Sequence, residues 1–223
     1  MSQDPTSKNA TFPDPIHLET RLAEGAKKFS PTANRNKAPI FEALNPYLKP
    51  QLRVLEIASG TGEHARHVCE HRPDLIWQPS DPDLESRQSQ NAWRSGIETQ
   101  MLESKNIDVT EAGWAKEYHG YNLIYCANMI HIAPPSALTG LLSGAKEILQ
   151  AEEIFALYGP FLEGNQTAPS NLQFDRSLKA RNPLWGVRDL ANVKHMFADA
   201  GFNIEAHIEM PKENRLLIFK KLS

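Results

Sequence analysis

The stretch V-L-E-I-A-S-G-T-G-E-H, from Val54 to His64, constrains this chain more than any other. Its first half is a short apolar run of the kind buried on both faces of a parallel sheet. Its second half sets Ala58, Gly60 and Gly62 where the backbone must turn sharply and lie close to whatever binds there. A strand that runs through such a turn into a helix presents free backbone N–H groups at the carboxyl edge of the sheet.

The rest of the chain repeats that unit. Residues 52–58, 74–79, 101–107, 121–127 and 154–158 read as strands, the third being the weakest, with helices over 62–71, 82–95 and 135–149. Asp81 and Pro82 are expected to open the second of these helices, and Leu138, Leu141, Leu142, Ala145 and Leu149 recur at helical spacing in the third. Two more helices are predicted over 170–181 and 188–200. The β-rich runs Phe202–Met210 and 214–220 are separated by only Pro211, Lys212 and Glu213, a link that permits an antiparallel hairpin and forbids a parallel crossover. Upstream, KAPIFEALNPYL predicts a helix with Asn36 as N-cap and Pro39 in its first turn. Residues 1–33, rich in Pro, Ser, Thr, Asn and Lys with an apolar hint only at Ile16, Leu18 and Leu22, are expected to form a weakly packed arm. The remainder, 34–223, is sized for one core. The expected architecture is α/β, a mostly parallel sheet with helices on both faces and a C-terminal antiparallel hairpin.

A hydrophobic content of 40% with 23% charged residues is that of an ordinary globular protein. The net charge of −3 gives no general attraction to nucleic acid or to an anionic membrane. No apolar run approaches the ~20 residues that span a bilayer. The polar, proline-bearing start lacks a signal-peptide core, so a cytoplasmic location is expected. Cys69 and Cys126 fall on a helix and a buried strand, where a thiol acts as a small apolar group. His64, His67 and His71 recur at helical spacing near Cys69, but the pattern does not match common zinc motifs and reads better as a solvated helix face; no metal is expected.

Asp81 ends the second predicted strand, 21 residues beyond Gly60, where a carboxylate can accept both hydroxyls of a ribose. Asp108 and Val109, after the third strand, are placed for an adenine amino group and ring face, and Asn128 sits at the tip of the fourth strand beside the glycine turn. Gly60, Gly62 and Ala65 also satisfy the G-x-G-x-x-A turn of nicotinamide-dinucleotide sites, so an oxidoreductase is an alternative. Glu56 inside the strand end and the terminal hairpin argue against it.

These features resemble the seven-stranded, Rossmann-like S-adenosylmethionine-dependent methyltransferases. A closer resemblance, to a methyltransferase-like family of bacteria and eukaryotes of uncharacterised function, is carried by NRNKAPI (34–40), VLEIASGTGEHA (54–65), WQPSDPD (77–83), CANMIHIAP (126–134), LYGPF (157–161), SNLQFDRSLKARNPLWGVRDL (170–190) and EMPKEN (209–214). The resemblance implies S-adenosylmethionine or S-adenosylhomocysteine lying across Glu56, Ala58, Ser59, Gly60, Thr61 and Gly62, with Glu56 organising the methionine end, Asp81 on the ribose and Asp108 with Val109 beside adenine. His64, in the first helical turn, and Asn128 belong to the same expected cofactor set. Asn34, Arg35 and Lys37 are expected to close the crevice and reach the cofactor carboxylate. Ala58 departs from the usual E-x-G-x-G turn, and a positive φ at that position would be disfavoured.

His131, following the fourth strand in NMIHIAPP, is a candidate general base, its unperturbed pKa being near 6.5; it could equally hydrogen-bond its own loop. Tyr158 could orient a substrate or simply sit satisfied at the rim. Arg176, Arg181, Trp185 and Arg188 form an aromatic and basic cluster between the fifth strand and the hairpin. Arg181, Trp185 and Arg188 are expected to contact an anionic or planar acceptor as a lid, the alternative being that Trp185 anchors the fold while the arginines pair with surface acids. The function expected is methyl transfer to an unidentified small molecule. The competing expectation is a non-catalytic protein that binds the same cofactor, since fold alone does not establish activity.

Overall fold

The computed structural model describes residues 20–223. Ile16 and Leu18 lie outside them, and Leu22 is exposed. Strands β1 (Leu22–Glu24) and β2 (Lys27–Phe29) form a small antiparallel hairpin. Trp93 joins it to the body, packing edge-on against Phe29 and donating its indole N–H to Lys28 O.

Helix α1 (Pro31–Leu44) begins a turn and a half before its expected start. Ser30 is the N-cap, its side chain accepting from Ala33 N at 3.0 Å, with Pro31 in the first helical position where its missing N–H costs nothing. Asn36 is therefore inside the helix, and Pro39 is an interior proline.

The main sheet contains β3 (Arg53–Ile57), β4 (Ile76–Pro79), β5 (Leu123–Ala127), β6 (Ile154–Pro160), β7 (Phe202–Met210) and β8 (Asn214–Lys221) in the order β4-β3-β5-β6-β8-β7. The first four are parallel; β8 runs antiparallel to β6 and pairs with β7 as the expected hairpin. Crossover helices α2 (Glu63–His71), α3 (Leu84–Trp93), α4 (Pro135–Ile148), α5 (Pro169–Arg181) and α6 (Leu190–Asp199) complete the α/β layers. No helix among the described residues is long and apolar enough to cross a membrane.

Alternate residues of each strand feed two cores. Val54, Leu123, Ala156 and Ile218 face α1 and α2; Leu55, Ile124, Phe155 and Phe219 face α4 and α6. On the second face Phe197 of α6 stacks on Phe219 with centroids 3.7 Å apart.

Among the described residues the main sheet has six strands rather than seven. Residues 101–105 run alongside β4 and Ser80 but form no strand, pairing through isolated bridges at Trp77–Met101 and Ser80–Lys105. Pro79 has no N–H with which to continue the ladder, and the carbonyl of Glu103 is taken by the Gln78 side chain at 2.6 Å. Helix α3 starts at Leu84 with Asp83 as its N-cap, which leaves the Asp81 carboxylate for other work.

Helix α4 carries two glycines on the face that receives the loop after this segment. A Cβ at Gly140 would lie 1.9 Å from Val109 O, and one at Gly144 would lie 2.0 Å from Trp114 Cζ2. Gly140→Ala gains ~1 kcal/mol in helix propensity but must displace backbone, so a net loss of about 1–3 kcal/mol in unfolding free energy is expected. Urea denaturation of the variant checks it; an unchanged or raised stability would show that the loop does not press on α4.

Candidate functional site

A cleft of about 510 Å³ opens at the carboxyl ends of β3, β5 and β6, walled by α1, the N-terminal half of α5 and the β7–β8 turn. That volume suits a small-molecule ligand. Of the residues expected to hold the cofactor, Arg35, Glu56, Ala58, Ser59, Gly60, Thr61, His64 and Asn128 line it.

The turn that forms the floor has Ala58 at φ 55°, Gly60 at 56° and Gly62 at 91°. Gly62 tolerates no side chain, because a Cβ would sit 2.9 Å from the Cα of Gln90. The turn is stitched down on all sides. Ser59 N donates to Ser80 O (2.7 Å), the Asp81 carboxylate accepts from Gly60 N (3.0 Å), and Gln90 donates to Gly60 O (2.9 Å). Glu63, buried at the start of α2, accepts from Thr61 Oγ1 (2.9 Å) and from Ser30 N (2.6 Å), tying the two helix starts together.

Glu56 is 2% exposed yet lines the cleft. Burial pushes its carboxyl up to about 7, opposed by hydrogen bonds from Trp77 Nε1 (2.8 Å) and Ser59 and reinforced by the neighbouring Asp81. Asp81 is likewise raised, to about 6, by burial, against backbone hydrogen bonds from Asp83 and Gly60. It stands behind the turn and not on the cleft wall.

A polar chain crosses the cleft's inner side. Asn36 Oδ1 can only accept, so His64 Nε2 donates to it (2.8 Å) and His64 Nδ1 is left to accept from the Tyr125 hydroxyl (3.2 Å). Burial, with His67 and Lys37 nearby, lowers His64 to about 4, which keeps this ring neutral at physiological pH. Asn36 and Asn214, both on the cleft wall, also hydrogen-bond Tyr158. Tyr158 itself is buried and does not reach the cleft.

Several expected site residues lie elsewhere. Asn34 and Lys37 are on α1 but do not line the cleft. The Asp108 carboxylate caps its own loop, accepting from Thr110 N (2.8 Å) and Thr110 Oγ1 (2.7 Å), while Val109 is buried under Gly140. His131 is 1% exposed, and its Nδ1 accepts from Arg188 N (3.2 Å). Its Nε2 has no hydrogen-bond partner among the described residues and faces Gly159. Burial and the Arg188 charge lower its pKa to about 3, against a backbone hydrogen bond that raises it. Such a ring is a poor general base near neutral pH.

None of the expected lid residues lines the cleft, and two of them, Arg188 and Trp185, make their contacts within the fold. Arg188 threads the carbonyls of Ile130 (2.9 Å), Ala133 (2.7 Å) and Leu184 (3.2 Å), clasping its segment to the loop after β5. Trp185 is buried with Leu178 and Val187, and Ile132, Leu162 and Phe174 pack against that cluster. Arg181 is exposed on α5, away from the cleft. The same elements instead present Ile132, Ser170, Asn171 and Phe174 to the cleft; with Arg21, Ser30, Thr32, Asn36, Lys212 and Asn214 these were not anticipated as wall residues. Ser30-Pro31 was a legible helix start; for the others no local signal exists.

Three solved methyltransferase structures share this fold. The S-adenosylmethionine-dependent methyltransferase SibL in its apo form aligns at TM-score 0.72 and 14% identity, over 86% of this chain and 56% of that one. Human N-acetylserotonin methyltransferase in complex with SAM aligns at 0.71 and 12%, over 86% and 53%. CalO1, a methyltransferase of calicheamicin biosynthesis in its SAH-bound form, aligns at 0.69 and 11%, over 85% and 54%. The chain spans little more than half the length of these structures. At the level of sequence, residues 27–221 match the family described as "Protein of unknown function (DUF938)", and the chain belongs to that family.

Two outcomes check this geometry. Ala58 occupies a left-handed conformation that costs an L-residue about 1–2 kcal/mol, partly offset by the greater unfolded-state freedom of glycine, so Ala58→Gly is expected to raise stability by up to about 1 kcal/mol. A lowered melting temperature would contradict the positive φ. Trp185→Ala should cost about 3–5 kcal/mol as a buried aromatic; a loss below about 1 kcal/mol, the usual surface range, would return Trp185 to the lid.

Proposed function

We propose that this chain binds S-adenosylmethionine in the cleft and transfers its methyl group to a small-molecule acceptor. The observation that carries the reading is Glu56: a buried carboxylate, raised to about 7, on the wall of a cleft floored by a glycine turn. A cation bound beside it would relieve the cost of burying its charge. Backbone at Ala58 and Gly60 can approach a ligand closely, and the fold is one in which solved methyltransferases hold SAM or SAH.

The cofactor supplies an activated methyl group on a sulfonium, so the protein's work is alignment and exclusion of water. Glu56 would hold the cofactor's cationic end, with the turn residues 58–61 and Asn128 around it. Asp81 would act by fixing Gly60 N through its carboxylate. The imidazole on the cleft wall, His64, is engaged at both nitrogens, and His131 is buried away from the cleft. The reading therefore favours an acceptor that is already nucleophilic, an amine or a thiolate, over one that needs a strong base. The same lack of a free imidazole supports a second reading, a protein that binds the cofactor without turning it over.

Calorimetry should show binding of S-adenosylmethionine and S-adenosylhomocysteine and none of NAD; the reverse pattern would overturn the reading. Labelled cofactor incubated with a small-molecule extract separates the catalytic form from the binding form. The sign of the pH dependence follows from Glu56. A cationic ligand favours the carboxylate, so below about pH 7 binding must release a proton and affinity should fall, by up to about tenfold per unit. Glu56→Gln should weaken S-adenosylmethionine by about 1.5–3 kcal/mol and flatten that profile. A wild-type affinity that is level from pH 5.5 to 8 would remove Glu56 from the site.

A further inference from the structure

The cleft carries a charge opposite to that of the whole chain. Net charge is −3, yet Arg21, Arg35 and Lys212 line the cleft against one carboxylate, Glu56. Such a wall concentrates anions in spite of the protein's overall sign. The three cations are not equivalent. Arg21 reaches over Gly60 and donates to Ser86 Oγ at 3.2 Å, on the α3 side. Arg35 donates to Thr32 Oγ1 at 2.9 Å through one of its nitrogens and keeps further donors. Among the described residues nothing pairs with the Lys212 ammonium.

Lys212 is also held in an unusual place. At the tip of the β7–β8 hairpin it has φ 62° and ψ 38°, and Glu213 follows at φ 57°. Two successive left-handed residues would be better served by glycine, which suggests that the side chain matters more than the strain. The turn is clamped by the buried Asn171 of α5, whose amide donates to Glu213 O (3.1 Å) and to Phe161 O (3.2 Å). One turn along the same helix Phe174 lines the cleft, and Ile132 and Pro160 continue its apolar wall.

We propose that the acceptor carries an anionic group, a carboxylate or a phosphate, read by Lys212 with Arg35 while its apolar body lies against Phe174, Ile132 and Pro160. This rests on the methyltransferase reading, since it assigns the acceptor half of the same cleft. The experiment titrates benzoate, phenyl phosphate and benzamide into protein saturated with S-adenosylhomocysteine. At least one anion is expected to bind about fivefold or more tighter than benzamide, the scale of one partly exposed ion pair, and the better of the two identifies the group. Lys212→Glu and Lys212→Gln should each abolish the preference while leaving S-adenosylhomocysteine affinity within about twofold, and Lys212→Arg should retain it. Added salt should weaken the anion and spare benzamide, a wild-type readout that survives any folding defect in the variants. Benzamide binding as well as both anions, no binding of any of the three, or a preference untouched in Lys212→Glu would each overturn the proposal. Failure to bind S-adenosylhomocysteine at all would instead overturn the reading beneath it.

Discussion

The turn from β3 into α2 is the constraint around which the rest of the molecule is arranged. Within five residues the chain must leave a buried strand and enter a helix, and it does so through positive φ at Ala58, Gly60 and Gly62. That path leaves backbone groups without regular partners, and the surrounding structure supplies them: Ser80 and Asp81 from the end of β4, Gln90 from α3. The fit is tight enough that Gly62 abuts the α3 backbone, so α3 cannot shift without moving the turn. Glu63, one residue into α2, extends the arrangement to α1 through Ser30 N, and the cleft wall is thereby referenced to the cleft floor.

A second layer of order comes from polar side chains that close on one another instead of on solvent. Tyr125 of β5, His64 of α2, Asn36 of α1, Tyr158 of β6 and Asn214 of β8 form one hydrogen-bonded path. Buried polar groups are costly unless satisfied, and a satisfied network favours one arrangement of the elements that contribute to it. Here those elements are the ones that wall the cleft. The interior asparagine of α1, which resembles a helix cap in sequence, is used for this network, and Ser30 does the capping.

What was legible in the sequence follows contiguity. Glu56, Ala58, Ser59, Gly60, Thr61 and His64 lie in one strand-and-turn motif, and a motif carries its geometry with it; all of them line the cleft. The alternation of strands and helices and the short Pro211-Lys212-Glu213 link likewise determine topology from local spacing. The expected site residues that do not line the cleft are placed by long-range packing. Asp108 and Val109 looked like cleft residues because they follow a predicted strand, but Gly140 and Gly144 admit that loop beneath α4, and Pro79 prevents the strand from forming a full ladder. Trp185 and Arg188 looked like ligand-binding residues by composition; the structure satisfies the first with Leu178 and Val187 and the second with three carbonyls.

Trp185 packs in the cluster that also touches Phe174 and Ile132, so the segment still shapes the cleft, at one remove. Beyond the turn, the cleft wall comes from stretches distant in sequence, among them α1, the loop after β5, the end of β6, the start of α5 and the hairpin tip. Each contributes a few residues, held by contacts made elsewhere, such as the Asn171 clamp on the turn bearing Lys212. The β3–α2 turn can be read from about ten consecutive residues because its geometry is set by the backbone. A cleft wall assembled in this way has no local signature, and its charge becomes visible only once Arg35 and Lys212 are seen to share one cleft in a protein whose net charge is negative.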